Sequence, residues 1–433
     1  MRELVITEAS WPGRAVHESF FFLTRRERKV KRFLAAMCLG AMAFATQASA
    51  AEPAKIHIGI CTGTVSQSED DLRGAEALIK KYGDVANGGM IKHITYPDNF
   101  MTEMETTISQ IVSFADDPDM KAVIVNQGIP GTTAAFQRIR EKRPDIMLFC
   151  GEAHEDPNVI ESAADLAINA DNIQRGYLII AAAKKLGVTD FVHISFPRHM
   201  SYELLSRRRN IMEAACKDLG INFHFMSAPD PTSDVGVAGA QQYILEQVPQ
   251  WLDRLGPKTA FFCTNDAHTE PLLKRLTEDK GGYFIEADLP SPLMGYPGAL
   301  GIDLADVSGD FPAILKRVED TVVSKGAAGR MGTWTYSYGF TNSLGLGELA
   351  IKYAKEGVTG GRSFRRAFKL EDLFNAYNAA TPGSTWSGGY YVDIATGKEK
   401  KNHVLVFEDL YIFGKGYMHM TEVEVPEKYK KIK

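Results

Sequence analysis

Past residue 54 the chain alternates between two patterns. Runs of four to six mostly apolar residues, at 56–61, 91–96, 122–125, 145–150 and 164–169, alternate with longer stretches whose apolar positions recur every three or four residues. Leu72, Ala75, Leu78 and Ile79 mark such a stretch over 69–82, Met104, Ile108, Ile111 and Val112 one over 101–115, and a third covers 132–142. The short runs predict buried strands and the longer ones amphipathic helices.

The alternation then restarts. A helix is predicted over 173–186, followed by strand 190–195, helix 203–219, strand 221–226 and helix 237–255, which Pro249 should kink or split. Strand 259–263, helix 271–278 and strand 283–287 complete this series. Strands alternating with helices imply parallel sheets covered on both faces. Two such series in tandem imply two lobes, over 55–172 and 173–300.

Beyond residue 300 the pattern loosens. A helix is predicted over 311–325 and an aromatic extended stretch over 334–340, where Trp334, Tyr336 and Tyr338 would share one strand face. Further helices are expected over 343–353 and 363–379. From Trp386 a β-rich tail reads as a hairpin, with a turn at 395–398. Residues 301–433 are therefore read as a return toward the lobes plus this hairpin.

The N-terminus follows a different rule. A basic stretch over 25–32 precedes 13 apolar residues, 33–45, and then Ala48-Ser49-Ala50. That is the layout of a secretory signal peptide over 1–50 with cleavage after Ala50. The apolar run is short of the ~20 residues that a membrane span needs. Residues 1–29 read either as a long n-region or as sequence upstream of a true start at Val30. No later segment holds 18 uncharged apolar residues, so no membrane span is expected.

Charge narrows the function. Residues 1–50 hold 8 of the 49 Lys and Arg and 4 of the 54 Asp and Glu, which leaves 41 basic and 50 acidic side chains and a net charge near −9. That balance argues against a nucleic-acid partner. Cys61, Cys150, Cys216 and Cys263 fit no zinc spacing. Three of them, Cys61, Cys150 and Cys263, lie in strand-like apolar runs and read as small hydrophobic residues.

Four stretches carry a resemblance. Asp171-Asn172 with Gly176 and Ala181-Ala182 is similar to the first crossover between lobes of the type I periplasmic solute-binding proteins, whose fold is shared with the effector domains of LacI-type regulators. The helix 209–221 resembles that family's helix, with Ile211-Met212 where Gly-Phe is usual. The strand end at 261–266, FFCTND, and the stretch 285–288, IEAD, resemble two further family segments. The chain past 340 resembles the longer members, which cross between lobes a third time. The resemblance implies a fold of two tandem doubly wound parallel-sheet lobes and an exported binding protein serving an ABC importer or a membrane sensor.

In open α/β sheets ligands bind beyond the carboxyl ends of the strands. The candidates are the polar residues placed there. After the first strand come Thr62, Thr64 and Ser66, after the third Asn126 and Gln127, and after the fourth Glu152 and His154. Asp171 and Asn172 sit at the crossover, with Asn172 expected to cap the following helix. Phe196 and Arg198, then Asn265, Asp266 and His268, and finally Asp288 come from the second lobe. Gly176 is expected to let its helix approach a neighbour.

The expected ligand is a small polar solute, sugar- or nucleoside-like first and an amino acid or carboxylate second. No cofactor or metal is expected. Glu152, His154, Asp266 and His268 could in principle hold a metal for hydrolysis, but they form no H-E-x-x-H or comparable motif. A regulator of the same fold would need a DNA-binding module where the signal peptide stands.

Overall fold

The computed structural model describes residues 56–433. The signal-peptide reading and the two alternatives for residues 1–29 lie outside the described residues.

The first lobe opens with strand β1 (His57–Thr62), helix α1 (Val65–Tyr82), β2 (Ile91–Thr95), α2 (Met104–Val112), β3 (Met120–Gly128), α3 (Thr132–Lys142), β4 (Met147–Ala153) and β5 (Leu166–Ala170). The second contains α4 (Asn172–Lys185), β6 (Asp190–Ser195), α5 (Glu203–Leu219), β7 (Asn222–Ser227), α6 (Gly236–Leu255), β8 (Thr259–Cys263), α7 (Asp266–Glu278), β9 (Tyr283–Phe284) and α8 (Phe311–Ser324). The remainder adds β10 (Gly332–Thr333), α9 (Tyr338–Lys355), α10 (Leu370–Ala380), β11 (Trp386–Val392), β12 (Glu399–Glu408), β13 (Tyr411–Ile412) and β14 (Gly416–Tyr417).

The first sheet runs β11-β12-β5-β4-β3-β1-β2, and its pairings are all parallel except β11 with β12. The second runs β7-β6-β8-β9, parallel throughout. A strand covered on both faces has no reason to alternate, which is why Ala122, Val123, Ile124 and Val125 are all buried. One core runs from Ile60, Ile124 and Phe149 through Trp334 and Leu410 to Phe191, Ile211 and Phe262. Separate cores fill the outer face of each sheet, around Phe114 and Phe136 in one lobe and Trp251 and Phe261 in the other. All four described cysteines are buried and free.

The predicted hairpin is present, but it is part of the first sheet: β12 lies parallel to β5, with His403 opposite Ala167. The chain thus passes between lobes three times, after Ala170, after Thr333 and after Glu408. These passages are fastened together. Gly332 pairs with Ile412, the Asp171 N–H donates to the Val406 carbonyl at 2.7 Å, and Glu408 Oε1 accepts from the Thr335 and Tyr336 amides, both at 3.2 Å.

Three local expectations need correction. The stretch 334–340 is not a strand: Ser337 accepts the Phe340 N–H at 3.3 Å and caps α9, which starts at Tyr338. A good N-cap outweighed the alternation of aromatics. Helix α6 is not split at Pro249; buried Val248 and Trp251 anchor it on either side of the proline. The helix expected over 363–379 is two, Arg362–Ala367 and Leu370–Ala380. The whole is the type I periplasmic binding fold, with its β-rich C-terminal region built into the first lobe.

Candidate ligand-binding cleft

Helices α1, α7 and α9 all begin at the carboxyl ends of strands or crossings, and their first turns meet around a cavity of about 200 Å³ between the lobes. Asp70, Asp71, Gln127 and Glu152 line it from the first lobe. Asp266 and the segment holding Leu289, Pro290, Leu293 and Met294 line it from the second, and Ser337, Tyr338 and Gly339 from the second crossing.

Local sequence explains how the acids arrive there. The backbone leaves helical geometry at Ser68 (φ −161°, ψ 84°), so Glu69, Asp70 and Asp71 fall in a fresh first turn of α1. Asp266 occupies the first turn of α7, behind an Asn265 cap that accepts the Ala267 N–H at 3.0 Å. Helix N-termini favour negative side chains. Asp71 is fully buried, and its Oδ1 accepts from Asn126 Nδ2 at 3.1 Å. A Cβ on Gly339 would lie 2.0 Å from that same oxygen, so only glycine admits the carboxylate so close to α9.

Burial dominates the electrostatics. It pushes Asp70 up to about 6, Asp71 and Glu152 each to about 7, and Asp266 to about 8. Mutual repulsion adds to this: Asp71 feels Asp70 and Glu152, and Asp266 feels Asp288, Asp70 and Glu152. Hydroxyl and amide donors near Asp70, Asp71 and Glu152 pull the other way without cancelling burial. Asp70 Oδ1, Asp71 Oδ2 and Asp266 Oδ1 are buried atoms without a hydrogen-bond partner. Glu152 also stands at φ +41°, a left-handed backbone that costs a non-glycine residue roughly 1–2 kcal/mol. Such strain collects at functional sites.

Of the residues singled out from sequence, the cavity brings together Gln127, Glu152 and Asp266. Asn126 lies just behind, its amide shared among Asp71, the Gly339 carbonyl and Ser343. Thr62 is buried against His93 Nε2 at 2.9 Å, and Thr64 donates to Asp98 at 2.5 Å. Ser66 lies in the first turn of α1, and its side chain is outside the described residues.

At the first crossing, Asp171, not Asn172, caps α4, accepting the Gln174 N–H at 2.8 Å. Asn172 Oδ1 instead accepts from Arg175 at 3.0 Å and Arg208 at 2.6 Å. A Cβ on Gly176 would lie 2.8 Å from Ile211, so α4 and α5 pack closely there, as expected.

Arg198 is committed to Asp230, with contacts of 2.7 and 2.9 Å. Phe196 is buried, its ring 4.2 Å from that of His199 and 5.9 Å from that of His268. His268 Nε2 meets the Pro229 carbonyl at 3.1 Å. Asp288 pairs with Arg208. His154 is held down to about 4 by burial. Among the described residues the one group of three metal-capable side chains within 4.8 Å is His57, Asp117 and Asp119. It lies at the opposite end of β1, so Glu152, His154, Asp266 and His268 form no such cluster.

Sequence reasoning missed Asp70, Asp71 and Gly339. The Ser-Glu-Asp-Asp run at a helix start was the available signal, and it passed for ordinary capping chemistry.

Comparison with known proteins places the chain among relatives. Two proteins of Treponema pallidum (strain Nichols), both described as uncharacterized, are similar to it. One is 48% identical over 40% of this chain and 80% of its own length. The other is 37% identical over 51% of this chain and all of its own length. Among solved structures, a candidate transcriptional regulator from Clostridium difficile 630 superposes with a TM-score of 0.72, at 20% identity, over 84% of this chain and 100% of that one. That likeness is one of fold. Residues 56–332 match the family described as "Protein of unknown function (DUF3798)", and the chain belongs to that family.

Proposed function

We propose that the protein captures a small polar solute between its two lobes, which close on it by hinge motion at the three crossings. The observation that carries this reading is the interlobe cavity with buried, unpartnered carboxylate oxygens from both lobes. Buried polar atoms in folded proteins nearly always have partners, so atoms left open around one cavity await a ligand that supplies them. The leader-like N-terminus supports export, and the fold supports delivery to a membrane partner, an ABC importer or a sensor. Hydroxyl- and amine-bearing solutes, such as sugars and nucleosides, suit a wall of acceptors. A carboxylate ligand does not, because it would meet four acids.

A thermal-shift screen of the purified chain against sugars, nucleosides, amino acids and amines, with and without EDTA, tests this. A ligand at a hundredfold excess over its Kd should stabilise the protein by about 2.7 kcal/mol. The effect should vanish in Asp266→Ala and survive EDTA. A hit unaffected by that substitution would place binding elsewhere.

A further inference from the structure

We propose that the solute of this cleft carries a protonated amine, which Asp70, Asp71, Glu152 and Asp266 receive as a group. This rests on the reading of the interlobe cavity as the binding site and narrows the ligand's chemical class.

The charge around the cavity is one-sided. Five acids line it, Glu69 being the fifth, and none of the lining residues is Lys, Arg or His. The cations close by are already engaged. Arg73 holds Glu69, Arg175 holds Glu286, Arg208 holds Asp288 and Arg198 holds Asp230. Four carboxylates therefore face one small space without a basic partner of their own.

Their open atoms identify what is missing. An ionised carboxylate only accepts hydrogen bonds, and an ammonium only donates them, with three N–H groups. Asp71 is fully buried, with one oxygen committed to Asn126 and the other unpartnered, and Asp70 and Asp266 on the same cavity each keep a buried oxygen without a partner. A neutral hydroxyl would fill a hydrogen-bond vacancy but leave the repulsion among the acids. An ammonium does both, because a nearby opposite charge favours the ionised form.

The remaining wall sets the rest of the molecule. Val65, Leu289, Leu293 and Met294 offer an apolar side for a short carbon body. A zwitterion is disfavoured, since its own carboxylate finds no cation there. A bare metal ion is disfavoured too, because no three of these carboxylates bring oxygens within 4.8 Å of one another. The class is a small organic amine without an acidic group: a diamine, an amino alcohol or an amino sugar.

Proton linkage gives this an independent signature. The titratable and charged groups facing the cavity are Glu69, Asp70 and Asp71 from α1, Glu152 near the carboxyl end of β4, Asp266 from α7 and Tyr338 from α9. Asp288 and Arg175 stand behind them. Burial holds protons on the free acids into the neutral range, and an entering ammonium displaces them. Binding should release protons and strengthen with rising pH.

The test is calorimetric titration of the full chain with 1,4-diaminobutane, ethanolamine and glucosamine, each beside its neutral counterpart: 1,4-butanediol, ethylene glycol and glucose. Calcium chloride is run separately. At least one amine should bind ten times more tightly than its neutral counterpart. Its affinity should rise about tenfold between pH 5.5 and 7.5, with proton release seen by comparing buffers of different ionisation heat. Asp71→Asn and Asp266→Asn should each weaken it at least tenfold while the unliganded protein still melts cooperatively, and Glu152→Gln serves if either fails to fold. A neutral solute that binds, is lost in Asp266→Asn and has no amine rival would overturn the amine while leaving the cleft intact. Binding of calcium with silent amines would overturn it in favour of a metal. Amine binding indifferent to all three substitutions would overturn it as adventitious. Silence toward every amine, together with silence across the wider solute panel, would overturn both the amine and the cleft.

Discussion

Two clusters of buried acids lie within the same cleft region and are treated oppositely. At the crossings, Arg175 and Glu286 are both fully buried and joined at 2.6 Å. Arg175 also bonds Asn172 and the Ala287 carbonyl, Trp334 donates to the other Glu286 oxygen at 2.8 Å, and Arg208 bridges Asn172 and Asp288. Each Glu286 oxygen there has a donor. A few residues away Asp70, Asp71, Glu152 and Asp266 have no basic partner, and three of them keep an open oxygen. Identical chemistry is structural where it is paired and receptive where it is not. Burial alone distinguishes neither; the partner list does.

The sharpest way to break this comparison is to remove one charge from each cluster. Arg175→Met leaves Glu286 buried without its cation, a change that typically costs about 3–5 kcal/mol. Asp266→Asn removes a carboxylate that burial and its neighbours already disfavour, so the unliganded protein should lose nothing and gain stability at neutral pH. Urea unfolding of the two variants beside the parent measures both. Equal losses would mean that the cavity acids are structural as well.

Acidity sharpens the same contrast at smaller scale. A carboxyl raised in the folded state binds more protons folded than unfolded between the two pKa values. The difference lies between about 3.9 for an unfolded aspartate and the 6 to 8 reached by Asp70, Asp71 and Asp266 here. Stability of the unliganded protein should be fully present below the lower value and fall as pH rises through the upper ones. Each proton's worth of difference contributes about 1.4 kcal/mol per pH unit. Melting followed from pH 5 to 8 should therefore decline, and Asp71→Asn or Asp266→Asn should flatten the decline. A rise over that range would contradict the assignment of these groups.

The two clusters were unequally legible in the sequence. The fold was readable because runs such as AVIV at 122–125 and amphipathic spacing such as Leu72, Ala75 and Leu78 respond to burial alone, a local property. Its failures came where a competing local signal was stronger, as at Ser337, or where packing overrode a breaker, as at Pro249. The site was half readable. Strand-end logic found Gln127, Glu152 and Asp266 because position along a strand is periodic. It could not separate these from Asp171, Arg198 or Asp288, because whether an acid is paired depends on residues far away in sequence: Arg208 lies 80 positions from Asp288. Asp70 and Asp71 were passed over because a helix start accounts for acids without a ligand, and only the break at Ser68 with the approach of Gly339 turns them inward.

Asp171 supplies the smallest and most discriminating check, because position and chemistry recommended it as strongly as Asp266. It is buried and its pKa is raised by that burial, yet both its oxygens are used, Oδ1 by the Gln174 amide at 2.8 Å and Oδ2 by the Gln174 side chain at 2.7 Å. Its backbone N–H is fixed to Val406 as well. Asp171→Ala should then behave as the loss of a helix cap, costing about 1 kcal/mol, while Asp171→Asn, which keeps a cap acceptor, should cost less. Neither should alter ligand affinity beyond what the lowered stability explains. If Asp171→Asn instead weakened ligand binding as much as Asp266→Asn does, an open oxygen would no longer be what marks a receptive acid. The boundary between the two clusters would then have to be redrawn through the first crossing.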